Sequence, residues 1–113
     1  MSPRLKPAPE LPEGESPDVR IASIKIEALD VQRIRCIIVL SQGNVRPDLI
    51  IVLSDEDGQP LASITVLETP DLENKYVLHL RRQPVSHIVT IKATLKFDRF
   101  GIFTQAEETF ELN

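Results

Sequence analysis

The chain has 113 residues, which suits one domain and leaves no room for two of ordinary size. Hydrophobic residues make up 42%, enough for a core, while aromatics make up 4% with no Trp, which weighs against ring platforms for sugars or stacked bases. A formal net charge of -4 and a pI near 5.1 give no electrostatic footprint for nucleic acid.

Residues 1–18 carry Pro3, Pro7, Pro9, Pro12 and Pro17. Proline fixes φ and removes a backbone donor, so this stretch is expected to be a disordered or extended tail. It could serve as a polyproline ligand or as a cover for apolar surface. It has no apolar segment of the secretory type, and no uninterrupted apolar run approaches the roughly 20 residues that span a bilayer. The expectation is a cytoplasmic protein with no membrane contact, unless the chain is a fragment of a larger one.

Strand A is expected over Val19 to Leu29, with a change of phase at Ala22-Ser23 that predicts a β-bulge or an edge strand that switches sheets. Strand B, Arg33 to Leu40, puts Ile34, Cys36, Ile38 and Leu40 on one face. Its other face carries Arg33, Arg35, Ile37 and Val39, and such a strand is central. Gly43-Asn44 permits the next turn. Strand C, Asp48 to Ser54, sets Leu49, Ile51 and Leu53 against Ile50 and Val52. Asp57-Gly58 then signals a hairpin into an edge or near-edge strand, Leu61 to Leu67.

Pro70 marks a break. Strand E, Lys75 to Arg82, points Tyr76, Leu78 and Leu80 inward and Val77, His79 and Arg81 outward. Strand F, His87 to Asp98, is the clearest amphipathic strand, with Val89, Ile91, Ala93, Leu95 and Phe97 facing in. After the loop Asp98-Arg99-Phe100-Gly101, strand G runs from about Ile102 to Leu112. Glu108 falls on its inner face, so a bulge or an early end to burial is expected there.

Seven strands in this spacing predict an all-β, seven-stranded Greek-key β-sandwich over residues 19–113. The strand lengths and turn positions resemble an immunoglobulin-like or fibronectin type III module. That resemblance implies that strands B and E are antiparallel neighbours. It carries no functional residue over, since the Cys…Trp…Cys core constellation and a Tyr on strand F are both missing.

Candidate chemistry is sparse. Cys36 is the single cysteine, lies in an apolar strand pattern and reads as a buried small hydrophobe. His79 and His87 read as surface residues, and no metal site is expected from them. Asp55, Glu56 and Asp57 form an oxygen-rich turn, the kind of loop a hard cation favours. No nucleophile elbow is present, and four glycines supply no phosphate cradle. The expectation is therefore no enzyme and no cofactor.

Surfaces offer more. In the resembling topology, Ile37 and Val39 would join Val77 as an apolar strip beside a basic one formed by Arg33, Arg35, His79 and Arg81. Ile50 and Val52 would make a second apolar patch beside Lys92 and Lys96. Exposed apolar patches of this kind mark interfaces in soluble proteins. The Arg99-Phe100 loop tip has the composition of a binding hot spot, although the favoured reading is that Phe100 folds back to plug the end of the core. The expected function is a non-catalytic protein-interaction or structural module, with a protein partner or self-association through these faces. The alternative is a small-ligand or calcium-binding module built on the strand-connecting loops.

Overall fold

The structure, a computed structural model, describes residues 19–42, 46–69, 71–97 and 101–112. The Pro-rich segment 1–18, Gly43-Asn44, Pro70 and the pair Arg99-Phe100 lie outside the described residues.

Seven strands follow one another: β1 (Ile21–Ala28), β2 (Arg33–Leu40), β3 (Asp48–Asp55), β4 (Pro60–Val66), β5 (Glu73–His79), β6 (Ile88–Phe97) and β7 (Ile102–Glu111). They form two antiparallel sheets, a three-stranded one ordered β1-β2-β5 and a four-stranded one ordered β4-β3-β6-β7. The chain crosses between sheets after β2, β4 and β5, so the sandwich is wound as a Greek key. β2 and β5 are the expected antiparallel neighbours. Among the described residues, no helix is long and apolar enough to cross a membrane.

Alternation in the sequence becomes alternation in burial. Along β2, Ile34, Cys36, Ile38 and Leu40 are buried, and along β3 Leu49, Ile51 and Leu53. β6 adds Val89, Ile91, Ala93, Leu95 and Phe97, and Leu61 and Leu78 close the core from β4 and β5. Burying one such side chain is worth roughly 1.5–3 kcal/mol, so these strands hold the molecule together. Cys36 sits fully inside, and burial pushes its thiol up to about 11.

Two irregularities shape the edges. Ile21 opposes Leu40 and Ser23 opposes Val39, which leaves Ala22 as the extra residue of the expected bulge. On β4 the register shifts beside Leu53 and Ser54, and consecutive residues Leu61 and Ala62 both turn inward. The Asp57-Gly58 hairpin is formed, with Gly58 at φ 85°, a left-handed conformation that favours glycine.

Two boundaries differ from expectation. β5 starts at Glu73, two residues early, because Asn74 is buried and internally satisfied. Its amide donates to the Asp71 carbonyl at 2.9 Å, and the Tyr76 hydroxyl lies 3.2 Å from its Oδ1. β5 ends at His79 rather than Arg82, and the Leu80 and Arg81 N–H groups bond instead to the carbonyls of Gln32 and Leu61. At Glu108 no bulge occurs. It opposes Ile91 in unbroken register yet is exposed, so burial simply stops at this edge.

Candidate functional site

The outer face of the three-stranded sheet is organised by strand register. Across it run the rows Ser23–Val39–Glu73, Lys25–Ile37–Lys75, Glu27–Arg35–Val77 and Arg33–His79. The apolar strip expected from Ile37, Val39 and Val77 is therefore interrupted, because Val77 opposes Arg35 while Ile37 and Val39 oppose Lys75 and Glu73. Ile37 and Val39 are half-buried, and long lysine stems flank Ile37 on both sides. Two arginines of the expected basic strip are ion-paired. Arg35 meets Glu27 at 2.9 Å and Arg33 meets Asp30 at 2.8 Å. Asp30 also accepts from the Gln32 N–H at 2.9 Å, and these bonds hold its carboxyl below the ordinary value.

The outer face of the four-stranded sheet differs in kind. Its rows are Asp48–Lys96–Phe103, Thr65–Ile50–Thr94–Gln105, Ser63–Val52–Lys92–Glu107 and Pro60–Ser54–Thr90–Thr109. Ile50 and Val52 are half-buried at its centre, beside Thr94 and Lys92 respectively. Hydroxyls and amides pair across it: Thr90 with Thr109 at 3.1 Å, and Gln105 with Thr94 at 3.2 Å. Phe103 is 37% exposed at one corner, and Leu67, just beyond β4, is 71% exposed.

The third feature is an open groove of about 550 Å³ at the end of the sandwich where β7 finishes. Val31 from the β1–β2 turn and Val85 from the β5–β6 loop rim it, over Ile34, Leu80 and Leu112. Gln83 ties the two loops by donating to the Val31 carbonyl at 2.9 Å. Val31 and Val85 carried no signal in the sequence, since single apolar residues in polar turns are common on any surface. The groove exists only because two loops distant in sequence meet. His87 lines it, whereas His79 stands on the outer face opposite Arg33.

The acidic turn has a structural occupation. Asp55 is buried, and its Oδ1 accepts the N–H groups of Asp57 at 3.0 Å and Gln59 at 3.1 Å. Arg82 Nη1 lies 2.9 Å from Oδ2, an ion-pair contact rather than an aligned hydrogen bond. Burial raises the pKa of this carboxyl, but the Gln59 bond, Arg82 and the Asp57 bond outweigh it and leave it lowered. Both oxygens thus face into the protein, while Glu56 and Asp57 are exposed. Among the described residues, no three of His, Cys, Asp or Glu converge as a metal site. Arg82 was expected to end strand E; β5 stops at His79 instead, and Arg82 reaches Asp55 from the loop that follows.

No protein-family model and no curated protein matches the chain. Two solved structures of a β-glucuronidase from Parabacteroides merdae, one with glycerol in its active site, share the fold at TM-score 0.65. Identity is 18% and 17%, over 84% of this chain in both comparisons. The match spans only 14% and 13% of the glucuronidase chains. The likeness is one of fold: a β-sandwich.

Proposed function

We propose that this chain is a non-catalytic, immunoglobulin-like interaction module that docks a partner protein through the outer face of its four-stranded sheet. One observation supports this above the others. The row Thr65–Ile50–Thr94–Gln105 crosses all four strands without a charge, and Phe103 stands exposed at one corner of that face. Interface centres are depleted in charge and enriched in aromatic residues. The opposite face, with Lys25, Glu27, Arg33, Arg35, Glu73 and Lys75, has the composition of a solvated surface. The glucuronidase neighbours add a fold to this reading and no activity. We assign the module to the cytosol, where a lone reduced thiol such as Cys36 needs no bonding partner.

The test is site-specific photocross-linking in the host cell. A benzophenone side chain at Thr94 is expected to capture a discrete protein, and one at Lys25 is not. The I50K substitution is expected to remove the Thr94 product while circular dichroism stays unchanged. Capture of the same protein from both positions, or from neither, overturns the reading.

A further inference from the structure

Four strands lie at sheet edges: β1 and β5 in one sheet, β4 and β7 in the other. An edge presents a row of backbone N–H and C=O groups that no neighbouring strand satisfies, and folded proteins blunt such rows. Two of the four are blunted in their backbone. β1 is bulged at Ala22, and β4 opens on Pro60 and breaks register beside Ser54. β5 and β7 have none of these backbone devices; β5 mixes signs in Glu73 and Lys75, whereas β7 carries glutamate alone. β7 runs for 10 residues without proline, in unbroken register with β6, and among the described residues no strand pairs with its other side.

The charges on this edge have one sign. Glu107, Glu108 and Glu111 are all exposed, and no Lys or Arg lies between Ile102 and Leu112. Glu107 and Glu111 share the outer face, whereas Glu108 lies on the inner register opposite Ile91. Ala106 and Phe110, also on the inner register, are half-buried where the core thins out.

We propose that the β7 edge is a strand-addition site for an extended, basic segment of a partner protein. The incoming backbone satisfies the free row of donors and acceptors, which supplies affinity whatever the side chains. Lys or Arg opposite Glu107 and Glu111 supplies charge complementarity on the outer face. Apolar side chains opposite Ala106 and Phe110 widen the core sideways. A second copy of this chain is the poorer occupant, because pairing two β7 edges gathers all their glutamates at one junction between chains of net charge -4. The backbone edge that no described strand pairs makes the site, and the glutamates select its occupant. None of this depends on the outer-face reading above.

The experiment is an NMR titration of the full-length, isotope-labelled chain with a synthetic peptide of about ten residues alternating Lys and Val, matched to the length of β7. A second peptide carries Glu in place of Lys. The expected result is amide shifts confined to β7 and adjoining β6 with the Lys peptide alone. The E107K/E111K double variant, altered only at exposed positions, is expected to bind that peptide at least about tenfold more weakly and to accept the Glu peptide. The I50K variant is expected to bind the Lys peptide as the parent does, which separates this site from the outer face. The proposal is overturned by an absence of shifts at millimolar peptide, by shifts lying off β7, or by equal affinity in E107K/E111K. It is also overturned if β7 amides broaden with protein concentration alone, which identifies a second copy as the occupant.

Discussion

At the scale of single residues, Asp55 shows how a side chain that looks like a ligand can be an anchor. It ends β3, and its carboxylate organises the hairpin backbone through Asp57 and Gln59 while holding Arg82 of the β5–β6 loop. Arg82 is partly exposed, so the cost of removing the buried carboxylate lies mainly in the Asp57 and Gln59 N–H groups, which lose their acceptor. Asp55→Ala is therefore expected to lower Tm by on the order of 10 °C in a thermal melt, with Asp55→Asn intermediate. The pH dependence has a definite sign. The folded pKa is lowered, so the stabilisation is fully present above the unfolded value near 3.9 and is lost as pH falls through the lower folded value. Between pH 5 and 2 the parent should lose stability more steeply than Asp55→Ala. Parallel curves would show that the carboxylate contributes nothing through its charge.

At the scale of elements, period-two alternation was legible because each face of a strand meets a different medium. β2 is an instance: its predicted bounds and its inner set, Ile34, Cys36, Ile38 and Leu40, are those observed. The bulge at Ala22 was legible for the same reason, as a break in phase. Register between strands was not. It is fixed by turns and by bulges on the partner, which is why Val77 stands against Arg35 instead of Ile37. Nor was the start of β5 legible, since buried Asn74 is tolerated only through its bonds to Asp71 and Tyr76. Adjacent residues on β3 test the face assignment directly. Ile51 is fully buried and Ile50 points outward, half-buried. Ile51→Ala is expected to cost about 2–5 kcal/mol in urea unfolding, and Ile50→Ala below about 1.5 kcal/mol. Equal costs would mean that the outer face of the four-stranded sheet is a second core and not a docking surface.

At the scale of the whole molecule, each sheet is closed by pairings between segments far apart in the chain. Arg33 of β2 opposes His79 of β5, and Asp48 of β3 opposes Lys96 of β6. Such long-range pairings must close large loops before any contact compensates, so folding is expected on the order of milliseconds to seconds at 25 °C. With no Trp, the probe is Tyr76, the single tyrosine, whose partly buried hydroxyl has its pKa raised by burial, with Asp71 and Cys36 adding to it. The central strands β2, β3 and β6 carry nearly all fully buried side chains, while β7 is only half-buried along its inner register. The transition state should therefore contain the central strands and leave β7 to dock late. Ile38→Val and Ile91→Val are expected to slow refolding in stopped-flow fluorescence, whereas Phe110→Leu should chiefly speed unfolding. A β7 that docks last is also one whose outer edge meets solvent throughout folding. Its run of glutamates then repels other nascent chains before any partner strand arrives. If Phe110→Leu instead slows refolding as much as Ile38→Val, β7 belongs to the nucleus and its edge is a fixed part of the sheet from the start.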